Sequence, residues 1–141
     1  MVKELVHDPK LLACKSTLAT KEDLNVATDL VDTLNFHRST CVGMVANMIG
    51  VNKCIIAFFN DDSKILVMFN PVILKKEFSY ETEEGCLSLL GGARKCRRFK
   101  KIKVEYQTID MKTRIKNFSG FTAQIIQHEI DHCNGDLKQH I

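Results

Sequence analysis

A chain of 141 residues and 16.0 kDa, 45% apolar and 26% charged, suits one domain spanning residues 1–141 rather than a disordered or coiled-coil protein. Its start, Met1-Val2-Lys3-Glu4, mixes charges into the apolar residues, and no run approaches the roughly 18 apolar residues of a membrane span. The expectation is a cytoplasmic protein with no leader and no membrane contact. Six cysteines, at positions 14, 41, 54, 86, 96 and 133, form no C-x-x-C pair, which argues for reduced thiols and against a disulfide framework.

The net charge of +3 is unevenly distributed. The decapeptide from Arg94 to Lys103 holds 7 of the 20 basic residues and no acid; without it, 13 bases face 17 acids, a balance of −4. Such a run fits either a phosphate-rich partner, for example the ribosome or RNA, or a solvated strand and turn.

In chain order, Thr20 is a predicted N-cap with Asp23 at N3, and Leu24, Ala27, Leu30, Val31 and Leu34 recur at helical spacing toward Phe36. Strands are predicted over 53–59, 65–69, 72–74, 78–81, 102–107 and 113–118, with turn residues between the first two. A last helix starts near Ser119 or Gly120 and runs to Asn134, with Gly135 at C′. Helices on either side of a run of strands, without βαβ alternation, give an α+β fold: antiparallel-leaning sheets around the last helix, with an N-terminal amphipathic helix.

The last helix carries His128-Glu129-Ile130-Asp131-His132, an H-E-x-x-H motif. Residues four apart share a helix face, so both imidazoles can converge on one metal while Glu129 reaches a water held there. Apolar Phe121, Ile125, Ile126 and Ile130 around the motif point to a substantially buried helix. A third ligand downstream is poorly supported: His140 lies eight residues beyond His132, across the predicted helix end, and does not fit the metzincin spacing. Upstream, Cys86 sits between two predicted strands, where it can be either a thiolate ligand or a small core residue.

Glu84-Gly85-Cys86-Leu87-Ser88, with the H-E-x-x-H histidine 42 positions after the cysteine, resembles the second and third signatures of the peptide deformylases. Their first signature, G-x-G-x-A-A-x-Q followed by an apolar residue and Gly, is matched in part by the segment Cys41 to Gly50, where Gly43, Ala46, Ile49 and Gly50 agree. The resemblance implies removal of the N-formyl group from the formyl-methionine of nascent polypeptides. It implies Cys86, His128 and His132 as ligands of one divalent metal, usually Fe2+ in the family, with Zn2+, Ni2+ or Co2+ able to take the same place. Glu129 would serve as general base and then general acid. The oxyanion would meet the backbone N–H of Leu87 and the glutamine of the first signature, a position held here by Met48, whose thioether has no hydrogen to donate. Asn47 beside it carries an amide but should point the other way on an extended segment. Cys41, Val45 and Leu90 also depart from the family pattern. The implied substrate-binding residues are Gly43, Met44, Gly85, Arg98, Phe121 and Ile125. Glu84 and Asp131 fit either ligand-orienting or plain surface acids.

Overall fold

The computed structural model describes residues 1–86 and 89–136, and only the backbone at residues 86 and 89–92. The Cys86 side chain, Leu87, the Leu90 side chain and His140, all singled out in the sequence, lie outside the described residues.

The elements are α1 (Pro9–Leu12), α2 (Leu24–Phe36), β1 (Gly43–Val45), β2 (Ile55–Phe59), β3 (Ile65–Cys86), β4 (Leu89–Gln107), β5 (Thr113–Ser119) and α3 (Gly120–Cys133). The five strands form one antiparallel sheet in the order β1-β2-β3-β4-β5. With α2 and α3, this is the expected α+β fold. Among the described residues no helix is long and apolar enough to cross a membrane.

Thr20 and Asp23 form the reciprocal capping box, on a 3-10 turn that leads into α2. Ala27, Leu30 and Leu34 of α2 are buried against the sheet, and four consecutive residues of β2, Ile55 to Phe58, are buried on both faces. That double burial is why β2 reads as an unbroken apolar run rather than an alternating one. α3 packs against β1, β2 and β4, which brings the helix carrying H-E-x-x-H onto the sheet from both sides of β3.

The sequence separates three strands between Ile65 and Glu81, whereas the structure joins them in one strand, β3, from Ile65 to Cys86. The breaks read from Pro71 and the polar residues become register shifts at Phe69/Val72 and Ile73/Lys75, so the ladder bends without ending. Asn70, at a φ of +54°, makes the first bend useful. Its side chain accepts from Ala19 N–H at 2.8 Å and donates to the Ala19 carbonyl at 2.9 Å and to Gln107 Oε1 at 2.7 Å, pinning the N-terminal segment to the sheet.

Strand pairing also changes the meaning of the basic run. β4 sets Arg94, Lys95, Arg97 and Lys101 opposite Glu84, Glu83, Glu81 and Glu77 of β3. Within the run Arg97 pairs with Glu81 at 3.6 Å and Arg98 with Glu84 and Asp131, while Lys103 stands opposite Lys75 as a like-charged pair.

Replacing Asn70 with alanine should lower stability by about 2 kcal/mol, since it orphans part-buried backbone groups of Ala19 at a bend alanine also disfavours. Urea unfolding measures this, and Asn70→Gly, which relieves the backbone but not the lost bonds, should recover only part of it.

Candidate metal centre

α3 begins after Ser119 and ends at Cys133, and every residue from Ile125 to Ile130 is buried, so the helix is enclosed on all sides where it carries His128 and Glu129. The i, i+4 spacing does what the sequence requires: donor atoms of His128, Glu129 and His132 all lie within 4.8 Å of one another, and the two imidazole rings meet edge to face at 4.9 Å. Glu129 Oε1 is buried and has no hydrogen-bond partner among the described residues. A buried carboxylate oxygen left unpaired is costly unless a cation or water completes it. Burial pushes the Glu129 pKa up to about 7.

The orientation of His128 is fixed from the sheet. Glu84, near the end of β3, accepts from His128 Nδ1 at 2.8 Å. Arg98 of β4 grips the same carboxylate, Nε to its two oxygens at 3.1 and 2.9 Å and Nη2 to Oε1 at 2.6 Å, and sends Nη1 to Asp131 Oδ2 at 2.6 Å. Burial alone would raise the Glu84 pKa, but hydrogen bonds from His128 and Arg98 and the positive charges behind them hold the carboxyl well below the usual range. An ionised carboxylate only accepts, so the shared proton sits on Nδ1 and Nε2 keeps its lone pair for a metal. Glu84 and Asp131 are therefore orienting groups and not surface acids.

Arg98, expected among the substrate-binding residues, belongs to this network: the residue is 3% exposed and its guanidinium is directed at two carboxylates. The reason is strand alternation, which turns Arg98 inward between outward-facing Arg97 and half-buried Phe99.

The structure brings Gly43 and Ile125 to Glu129. A Cβ on Gly43 would stand 2.7 Å from Glu129 Oε2 and 2.8 Å from Ile125 Cγ2, so only glycine lets β1 pass this close to the carboxylate. Met44 is buried in the core beside it. Gly85 is exposed with open space around it, and Phe121, on the first turn of α3, is 62% exposed and so is not part of the core.

Met48, at the family's glutamine position, is 1% exposed within a 3-10 turn over Ala46–Ile49. The neighbouring Asn47 does not stand in for it, because its amide donates to the His132 carbonyl at 2.9 Å and the Leu12 carbonyl at 3.4 Å. Asn47 thus ties the last turn of α3 to α1, a role the sequence does not announce because the three segments are far apart in it. Gln127 is similar: its side chain pairs with both Phe99 backbone groups at 2.9 Å, completing the edge of β4.

Exchange of Glu84 for glutamine should weaken metal binding by about 10- to 100-fold by freeing the His128 ring. Chelator competition at equilibrium measures it, and an unchanged affinity would show that the Glu84 contact does not set the ligand. Substituting alanine for Gly43 should displace the Glu129 carboxylate and reduce hydrolysis far more than it reduces the unfolding midpoint.

Residues 4–140 match the family model described as polypeptide deformylase. The chain is 51% identical over 135 residues to a peptide deformylase of Clostridium beijerinckii, covering 96% of this chain and 98% of that protein. A peptide deformylase of Dictyoglomus thermophilum is 32% identical, with 97% of this chain and 90% of that one covered. Among solved structures, a Thermus thermophilus peptide deformylase superposes with a TM-score of 0.86 at 29% identity, covering 96% of this chain and 81% of that chain. A Met-Ala-Ser-bound peptide deformylase of Acinetobacter baumannii gives 0.84 at 27% identity, covering 96% and 94%. On these matches the chain belongs to the peptide deformylases, a family of metal-dependent hydrolytic enzymes.

Proposed function

We propose that the protein removes the N-formyl group from the formyl-methionine of nascent polypeptides in the cytoplasm, acting as a single catalytic domain. The observation that carries the reading is the convergence of His128, Glu129 and His132 with an unpaired, buried Glu129 oxygen. His128 and His132 would hold the metal together with Cys86, at the end of β3 two residues beyond Glu84. Thiolate and imidazole suit Fe2+, the proposed ion, and also Zn2+, Ni2+ or Co2+. When bound, such an ion supplies Lewis acidity, which polarises the formyl oxygen and makes water easier to deprotonate.

Glu129 takes a proton from the attacking water and later delivers it to the departing amine, so that formyl amide and water become formate and a free N-terminus. A carboxyl raised to about 7 by burial is suited to both transfers near neutral pH. Gly43 provides the room for Glu129 to stand beside β1. Gly43, Met44 and Gly85 are the proposed backbone contacts for an extended peptide, as in a strand added to a sheet edge. Ile125 and Phe121 are the proposed side-chain contacts; the Met-Ala-Ser complex of the Acinetobacter relative supports a peptide ligand of this kind. The Leu87 N–H is the proposed oxyanion donor.

Met48 favours a second reading, in which the metal site is retained but hydrolysis is slow. Its side chain cannot donate, and the Asn47 amide is already engaged. One missing oxyanion donor typically costs about 100- to 1,000-fold in turnover. A ribosome contact through residues 94–103 would rest on its exposed cations, Arg94, Lys95, Lys100, Lys101 and Lys103.

Protein loaded with Fe2+ or Ni2+ without air should release formate from formyl-Met-Ala-Ser, and Glu129→Ala should abolish it. Failure of the parent protein to exceed that variant would end the deformylase reading. Met48→Gln should raise turnover by about 100-fold. An unchanged rate would mean that the thioether is not what limits catalysis.

A further inference from the structure

Lys101 and Lys103, at the end of the basic run, have no part in the proposed hydrolysis, and the strand register shows what they belong to. β3, β4 and β5 place Lys75, Lys103 and Asn117 side by side in one row and Glu77, Lys101 and Ser119 in the next, on one face. All but Glu77 are exposed, and all six line a hollow of about 380 Å³. Lys75 and Glu77 pair at 3.3 Å, whereas Lys101 and Lys103 form no ion pair among the described residues.

Phe78 stands beside Lys101 and is costly to place there. Its backbone has a φ of +62°, in the left-handed region that a bulky residue rarely enters, yet the residue is 61% exposed. The ladder keeps its register on either side, with Glu77 opposite Lys101 and Ser79 opposite Phe99, so no bulge requires this conformation. Burial does not offset the strain either. The outcome is an aromatic ring held at the open face, with Lys101 Nζ 5.8 Å from its centroid. Strain of this kind, kept at the surface, marks a place where a ligand uses the side chain.

We propose that this face of β3, β4 and β5 binds single-stranded RNA, with Phe78 as a stacking platform and Lys101 and Lys103 as phosphate contacts. Charge complementarity selects a polyanion, because two lysines without carboxylate partners share the hollow with the donors of Asn117 and Ser119. The exposed ring selects bases: an aromatic face on an open sheet takes an unpaired base, whereas a duplex keeps its bases stacked inside. An acidic peptide or an anionic bilayer would meet the lysines without offering the ring a flat π-face. The Asn117 amide and the Ser119 hydroxyl can also hydrogen-bond a ribose 2′-hydroxyl, which favours RNA over DNA. No ligand or base of the proposed hydrolysis belongs to this face, so RNA binding stands or falls independently of it.

The test follows the fluorescence anisotropy of a labelled single-stranded RNA of about 12 nucleotides with the full-length protein at increasing salt. Binding should be measurable at low salt and weaken as salt rises, and DNA of the same sequence or an RNA duplex should bind less tightly. Exchange of both Lys101 and Lys103 for glutamine should reduce the slope of log affinity against log salt by about 1.4. Phe78→Gly removes the ring and relieves the left-handed backbone. It should weaken binding about 10-fold with the slope unchanged, while raising the urea unfolding midpoint. No binding at low salt, an affinity unmoved by Phe78→Gly or a slope unmoved by the lysine exchange would each overturn the proposal. So would duplex RNA, polyglutamate or phosphatidylglycerol vesicles bound as tightly as the single strand.

Discussion

One buried carboxylate organises this molecule. Glu84 receives the His128 ring and the Arg98 guanidinium at once, and Arg98 passes on to Asp131 one turn along the same helix. The arrangement links β3, β4 and α3 through charges that water barely reaches. Removing one member of such a pair leaves an uncompensated buried charge, commonly at a cost of about 3–5 kcal/mol. The fold and the site are therefore not separable: the strands must be in this register for Glu84 to hold His128 by Nδ1.

The far end of α3 is secured by a second, weaker set of contacts. Asn47 caps the His132 carbonyl, Ser16 bonds the Cys133 carbonyl, and Gly135, in a left-handed conformation, lies against the Ala13 carbonyl where no side chain would fit. The N-terminal segment is thus part of the site's scaffold.

Much of this was legible in the sequence, for physical reasons. H-E-x-x-H is local, so helical periodicity alone places its donors on one face, and the Thr20/Asp23 capping box is equally local. What stayed hidden depends on strand register. No periodicity shows that Glu84 lies opposite Arg94 while its carboxylate reaches Arg98, or that an acidic stretch of β3 answers the basic run of β4. The continuity of β3 through Pro71 was hidden for a related reason, because a bulge looks like a turn until the partner strand is known. Met48 shows the opposite case: the departure was plain in sequence, but that Asn47 cannot compensate required seeing where its amide points.

A metal held jointly by the helix and the end of β3, as proposed, makes ligand identity the most direct test. X-ray absorption of the zinc-loaded protein should show two imidazole nitrogens at about 2.0–2.1 Å and one sulfur at about 2.3 Å. A first shell without sulfur, or with fewer than two imidazoles, would contradict it.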